Sequence, residues 1–593
     1  MTYHPNEVAR RARAARFVVA MALAGLGLGF FRAQVLRSTE YAMQVDGQRL
    51  REVPLVAPRG IIYDRNGEII AENLPGYTVS LLSPSTDSLN AALDALSKVI
   101  PIDETQRNLV LRRFERARNR PAVIFNDASF DVVSALEERR VQFPSLIIEN
   151  SPKRYYPDGE AIAAIIGFTS EISEKELLLP EFDSTYKAGQ HIGKSGLERE
   201  YESRLRGIEG SRFVEVDARG RVVRDQGVRA EIAPQPPVAI RSTLDLDLQR
   251  FIHETYGDSL RGAVVALDPR TGGVLALYSG PTFDANRFTG GIPASYYKQL
   301  LDDPARPLYN KAIQGRYEPA STWKLATSII AMEQGLAEIN THMQVPCTGG
   351  YQFGSRRFKC WKPAGHGNVN LAQAIANSCD VYFYQLGLKI GLTNLVAGGL
   401  KLGFGERTGI DLPYEERSIF PDSNVTAYYN NKYGARGWTN AVVLNLSIGQ
   451  GENSQTVINM ARFYTALATD GAAAPPHLIE TDVERKQLFS LKPDQLAALR
   501  SAMADVVSGR GTAGSAALQG IVVAGKTGTA QNPPNPDHAW FVGFAPYAEP
   551  KIVVAVFLEF GLHGYAAARI ATKVMERYLK VSLVNASAST AAQ

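Results

Sequence analysis

Cysteine is scarce in this chain: three residues of 593, all between Cys347 and Cys379. An odd, clustered set excludes a disulfide framework that staples a small fold. A charge bias is also lacking. Lys and Arg total 64 against 60 Asp and Glu, a net of +4, so there is no nucleic-acid signature. No segment repeats with a period of about 20–50 residues, which argues against a solenoid. Histidine is rare, and His342, His366, His477 and His538 form no sequence-readable triad with a serine. What is present, at 45% hydrophobic residues, is enough for several globular domains.

Long apolar runs are missing with one exception. Phe17–Phe31 is uncharged and apolar, and Arg32 interrupts a run that continues to Leu36. With Arg32 snorkelling, about 20 residues span a bilayer. Arg10, Arg11, Arg13 and Arg16 precede the run, which predicts a cytoplasmic segment 1–16 and an anchor over 17–36. Ala22-Leu23-Ala24 has the pattern of a cleavage site, but cutting there leaves too short a core, Phe17–Met21. This predicts an uncleaved single-pass anchor, with everything after about residue 37 outside the cytoplasm.

Beyond a polar linker at 37–56, the Asp64–Gly67 turn between apolar stretches predicts a hairpin over 57–82. Residues 86–120 read as helical, with Leu89, Leu93, Leu96 and Ile100 in one stripe. Arg112, Arg113, Arg116 and Arg118 there read as a solvated face. Residues 130–240 alternate short helical and extended pieces without a metal cluster or phosphate loop, so this half positions something and does not catalyse. The stiff break Ala233–Pro237 predicts a boundary between a pedestal domain, 37–236, and a second domain, 237–582. The second opens with a hairpin over 262–280, continues largely helical to about residue 510, and ends in three strands of an antiparallel sheet. Ala566–Leu579 is a closing helix, and 583–593 reads as a disordered tail. The fold class is α+β and multidomain.

The chemistry centres on Gly315–Ala331. Pro319 stops any earlier helix, and Ser321 or Thr322 is positioned to cap the next. Ser321 and Lys324 are three apart and leave one helix face. A lysine whose charge is disfavoured is a base for a serine nucleophile. Alone, this pattern describes an ordinary capped helix with a solvated lysine. Two later motifs change that: Ser378-Cys379-Asp380, and Lys526-Thr527-Gly528-Thr529 on a strand. Lys526 there places a cation for a carboxylate, Thr527 and Thr529 add hydroxyls, and Gly528 lets a substrate backbone approach.

Three motifs in this order resemble the penicillin-recognising serine acyltransferases. PRGIIYDRNG, GKSGLE, the 262–280 hairpin, YEPASTWK, SIGQG at 447–451 and AGKTGTAQ extend the resemblance to class B penicillin-binding proteins, from the anchor to about residue 580. Asp380 and the CWKPAGHGNVNL stretch make it most similar to the elongation type, penicillin-binding protein 2. Ala320 stands where many relatives have glycine, with little expected consequence.

The resemblance implies a pedestal of dimerisation type below a transpeptidase domain whose antiparallel sheet is flanked by helices. It implies that Ser321 attacks the penultimate D-Ala carbonyl of a peptidoglycan stem peptide, with Lys324 as base and Ser378 as proton relay. Asp380, Lys526, Thr527, Gly528 and Thr529 would form the substrate-binding wall. The N–H groups of Ser321 and Thr529 would form the oxyanion hole. β-Lactams would acylate the same serine. The implied partners are lipid II-derived glycan strands, the bacterial inner membrane and an integral-membrane SEDS-type glycan polymerase, with no nucleic acid and no cofactor required for the chemistry. A division-specific transpeptidase, a carboxypeptidase or β-lactamase, and a non-catalytic scaffold or sensor are the alternatives. The intact motifs oppose a vestigial site.

Cys347, Cys360, His366 and Cys379 form C-x12-C-x5-H-x12-C. Thiolates with an imidazole suit a closed structural zinc site. A Cys347–Cys360 disulfide with Cys379 as a buried hydrophobe is the other reading. The resemblance adds that some relatives carry zinc beside the active site, with ligands matching His366 and Cys379, and with aspartate where Cys360 stands.

Overall fold

The computed structural model describes residues 5–37, 50–116, 120–182, 185–187, 189–217, 222–224, 229–256, 261–289, 291–508 and 511–590. The expected linker lies mostly outside these residues, as does Arg118 of the charged run. An N-terminal helix, Pro5–Phe31, continues as a π-helical turn, Arg32–Leu36. Over Ala9–Leu36 it is long and apolar enough to cross a membrane. Phe17, Leu23, Leu28 and Phe31 are all exposed on it. Apolar area of that extent is stable in lipid and costly in water.

The expected hairpin forms. Ile62–Tyr63 pairs antiparallel with Ile69–Leu81, which also pairs with Ala122–Phe125 and Leu146–Tyr155. Helices Thr86–Leu96 and Glu104–Arg116 bury Leu89, Leu93, Leu96, Val110 and Phe114 beside Val79, Leu81 and Ile124, a separate small core. The arginine face is not simply solvated. Arg113 pairs with Glu171 and donates to the Val123 carbonyl at 2.9 Å, because the Glu171 strand closes over that helix.

The PRG and GKSGLE motifs meet in a buried ion network. Arg59 pairs with Glu198 and, at 2.7 Å, with Glu202, while Arg154 Nε donates to the other Glu198 oxygen at 2.6 Å. Glu198 is fully buried; burial, the largest single influence, raises its carboxyl, but the charges and hydrogen bonds of Arg154 and Arg59 together hold it below the usual range.

The Pro-rich break does not separate the packing. Ile240–Arg241, just after it, pairs in parallel with Ile62–Tyr63. Ile62, Ile70, Tyr156, Ile162, Ile166 and Leu197 share one core with Leu244, Leu246 and the second domain's sheet. Polar pins cross the same junction. The buried Asp64 carboxylate accepts N–H groups from Asn66, Glu68 and, at 3.2 Å, Leu246. Gln249 Nε2 donates to the Ala161 carbonyl at 2.6 Å, and Tyr201 donates to Asp411 at 2.8 Å.

The second domain is built on a five-stranded antiparallel sheet, in the order Val274–Gly280, Gly262–Leu267, Ile552–Leu558, His538–Ala545, Ala524–Ala530. Its central strands are apolar and buried throughout, which requires helices on both faces. Val457–Ala468, buried at every position, packs on one face. Leu246–Tyr256 and Gly564–Thr590 pack on the other. Two sequence expectations need correction. The region after the nucleophile motif contains a hairpin, Gly350–Phe353 with Arg356–Lys359. The closing helix runs to Thr590, so residues 584–590 are helical where a disordered tail is expected. The segment has no proline or glycine to stop the helix.

Candidate active site

The nucleophile motif begins with a strained turn. Ala320 has φ +47, and its N–H donates to the Gly449 carbonyl at 2.9 Å. The SIGQG loop therefore backs the turn directly, and a Cβ on Gly449 would stand 2.3 Å from the Ala320 oxygen. A left-handed alanine costs about 1–2 kcal/mol that glycine avoids, so this departure from the family has a physical consequence. Ala320–Trp323 is a 3-10 turn, and the α-helix starts at Lys324 and ends at Glu333. Neither Ser321 nor Thr322 caps it. The Thr322 hydroxyl instead donates back to the Pro319 carbonyl at 2.6 Å. The helix is buried on nearly all sides, with Trp323 packed on Phe404 and Phe420.

Lys324 is fully buried, not solvated. Its Nζ donates to Asp380 Oδ1 at 2.7 Å, to the Ser378 carbonyl at 2.9 Å and to Ser378 Oγ at 3.2 Å. These three bonds join the first two motifs across more than fifty residues of sequence. Among the described residues, Lys324 makes no hydrogen bond to Ser321.

Ser378 sits where it does because of how the preceding helix ends. Leu371–Ala376 is opened by an Asn370 capping box with Gln373. It closes with Cys379 N–H to Ala374 O at 2.9 Å and Ser378 N–H to Ile375 O at 3.2 Å. That is a Schellman turn with serine at the left-handed position, φ +54, where glycine is usual. Asp380 then begins the helix Asp380–Ile390.

The third motif lies on the edge strand Ala524–Ala530, against the nucleophile turn. Lys526 is buried, and among the described residues its Nζ donates only to the Thr527 carbonyl, at 3.2 Å. Burial, and then the Lys324 charge, hold Lys526 well below the ordinary lysine range. The Thr527 hydroxyl meets Thr512 Oγ1 at 2.6 Å, and Thr529 Oγ1 accepts the Gly564 N–H at 3.4 Å. Gly528 has a reason beyond substrate approach. A Cβ on it would stand 3.0 Å from Pro319 O and 3.2 Å from Thr322 Cγ2. An alanine there would press the nucleophile turn away by a few tenths of an ångström.

Two residues near the site are ones the sequence gives no role. Trp361 donates its backbone N–H to Asp380 Oδ2 and its indole N–H to the Ser378 carbonyl. Glu318 accepts the Gly451 N–H at 3.0 Å, and burial pushes its carboxyl up to about 7. The signals were present as CW in the 360–371 stretch and as the acid before Pro319, but neither names a partner.

The cysteine cluster assembles beside Asp380. One ligand atom from each of Cys347, Cys360, His366 and Cys379 lies within 4.8 Å of every other. His366 Nδ1 is 3.6 Å from Cys347 Sγ and 3.5 Å from Cys360 Sγ. Tetrahedral zinc separates nitrogen and sulfur ligands by about 3.5 Å, so the donor set fits that ion. All three cysteines are free, and no Cys347–Cys360 disulfide is present. The contact between Cys360 and Cys379 pulls the Cys360 thiol down and pushes the Cys379 thiol up, so the two titrate as a pair.

Residues 262–579 match the penicillin-binding protein transpeptidase domain, and residues 54–236 match the penicillin-binding protein dimerisation domain. The chain belongs to the penicillin-binding proteins. It is 34% identical to the peptidoglycan D,D-transpeptidase MrdA of Haemophilus influenzae, over 98% of this chain and 93% of that one. Among solved structures, penicillin-binding protein PBP2 of Helicobacter pylori, in complex with MreC, has a TM-score of 0.78 at 28% identity, covering 90% of this chain and 99% of that one. PBP2 of Pseudomonas aeruginosa, in complex with WCK 5153, has a TM-score of 0.67 at 30% identity, covering 89% and 96%. Within the family the chain is of the PBP2 type.

Proposed function

We propose that this chain is a membrane-anchored peptidoglycan D,D-transpeptidase of cell elongation and a target of β-lactams. The observation that carries this is the bonding of buried Lys324 to both Ser378 and Asp380, with buried Lys526 on the adjacent strand. Ser321 Oγ attacks the carbonyl carbon of the penultimate D-Ala, and its proton passes to Lys324. Lys526, Thr527 and Thr529 hold the terminal carboxylate. The N–H groups of Ser321 and Thr529 stabilise the oxyanion, worth a few kcal/mol of barrier. Ser378 relays the proton to the leaving amine, so terminal D-Ala departs and an ester to Ser321 remains. A neighbouring stem's amine attacks that ester, forms the cross-linking amide and returns the proton to Ser321.

Cys347, Cys360, His366 and Cys379 are proposed to hold a structural zinc ion. The ion's contribution is to brace the loop bearing Ser378 and Asp380. Stoichiometric zinc in pure protein, lost in Cys379→Ala, is the expected finding; zinc-free native protein overturns this part. The arginines before the anchor support an N-terminus in the cytoplasm, which leaves the catalytic domain extracytoplasmic. The pedestal is assigned to partner binding; the H. pylori relative is one that forms a complex with MreC. An integral-membrane glycan polymerase is the second partner proposed.

A fluorescent penicillin tests the central reading. Wild type should be labelled and Ser321→Ala should not. Labelling that survives this substitution identifies a different nucleophile.

A further inference from the structure

Trp361 has a solvent-facing side chain, yet its indole N–H donates two hydrogen bonds and its backbone N–H a third, and the mechanism above does not use it. The side chain is 57% exposed, and its nearest ring is His366, with centroids 5.4 Å apart. Trp323 and Trp540, by contrast, are fully buried core residues. Trp361 thus contributes little apolar packing, and its bonds need another reason.

Those bonds converge on the catalytic turn. The Trp361 backbone N–H donates to Asp380 Oδ2 at 3.0 Å. Its indole N–H donates to the carbonyls of Asn377 and Ser378, each at 3.1 Å. Lys324 takes the same two groups from the buried side, Asp380 through Oδ1 and Ser378 through its carbonyl. Lysine and tryptophan therefore share one carboxylate, an oxygen each, and one main-chain carbonyl. That carbonyl belongs to a residue in the left-handed region, a conformation held only as firmly as its partners hold it. Fixing the Ser378 carbonyl from two sides fixes the peptide plane, and with it the direction of Ser378 Oγ toward Lys324.

We propose that Trp361 is a positioning residue for acylation, its indole N–H locking the Ser378 turn so that Ser378 and Asp380 stay in register with Lys324. The inference rests on the reading of Ser321 as the nucleophile with Lys324 as its base. Trp361 touches no reacting atom, so its loss slows the chemical step and leaves ligand binding unchanged.

The test is rapid-mixing acylation of the full chain in detergent by a fluorescent penicillin, separating limiting rate from half-saturating concentration. Two variants are compared with wild type: Trp361→Phe, and position 361 carrying benzothienylalanine, which keeps the indole shape but replaces N–H with sulfur. The second leaves the backbone and its Cys360 neighbour unaltered. One lost hydrogen bond predicts a limiting rate about tenfold lower in both, with half-saturation within about twofold. The melting temperature should stay near that of wild type. A wild-type rate in the benzothienylalanine protein overturns the inference, whatever Phe does. An unchanged rate with altered half-saturation also overturns it, since Trp361 would then contact ligand. Labelling that survives Ser321→Ala is a separate failure, of the nucleophile reading itself.

Discussion

Gly528 and Pro319 approach so closely that a Cβ on the glycine would stand 3.0 Å from the proline carbonyl oxygen. The edge strand of the sheet and the turn bearing Ser321 are thereby held as one surface. Gly528→Ala should push that turn away, because Trp540 Cβ at 3.1 Å blocks retreat on the other side. The turn would give by a few tenths of an ångström, so the expected result is penicillin acylation reduced about three- to tenfold, short of the loss for a 1 Å misplacement. Stopped-flow labelling measures it, and a rate within twofold of wild type contradicts the packing argument.

Ala320→Gly should act in the opposite direction on stability. The φ of +47 favours glycine, while glycine loses about 0.5–1 kcal/mol of conformational entropy. The net expectation is about 0.5–1 kcal/mol of added stability in denaturant unfolding. A destabilised variant would mean that the Ala320 methyl packs more favourably than its strained backbone costs.

Glu318 predicts a pH dependence. Its folded value of about 7 lies above its ordinary 4.5, so the folded state binds the proton more tightly. The contribution to stability is therefore full below pH 4.5 and is lost as pH rises to 7. Glu318→Gln should flatten the melting-temperature profile across that window. An unchanged slope would show that the carboxyl titrates alike in both states.

The PRG–GLE network should be structural and not catalytic. Glu198→Leu strands the Arg154 guanidinium, two of whose nitrogens already lack partners among the described residues, while Arg59 keeps only Glu202 as its carboxylate. Breaking a buried pair from one side costs about 3–5 kcal/mol. Thermal unfolding should show this loss, while the folded fraction still acylates at the wild-type rate.

How much was legible follows from what sets each feature. Short motifs name side chains, so Ser321, Lys324, Ser378, Asp380 and Lys526 could be picked out from residue type and order. The four cysteine and histidine positions were legible in the same way. What lies between them was not. The left-handed Ser378 depends on a Schellman turn, for which serine is an unusual residue. The Trp361 bonds depend on the path of a loop, since an indole N–H donates to whichever carbonyl the loop brings within reach. The Pro-rich break marks a change of composition, but the pairing of Ile240 with Ile62 across it is a long-range contact that local pattern does not encode.

That pairing bears on how the molecule can be divided. Cutting the chain at the break removes the strand partner of Ile240–Arg241 and bares Leu244 and Leu246, both fully buried in the whole. It also strips Asp64 from the start of the Leu246–Tyr256 helix and Ala161 from Gln249. The catalytic half is therefore not a separable module. A soluble fragment that keeps its native fold must retain the Ile62–Leu81 hairpin and the Gly159–Leu205 segment, so the pedestal's base is part of the enzyme's folding unit.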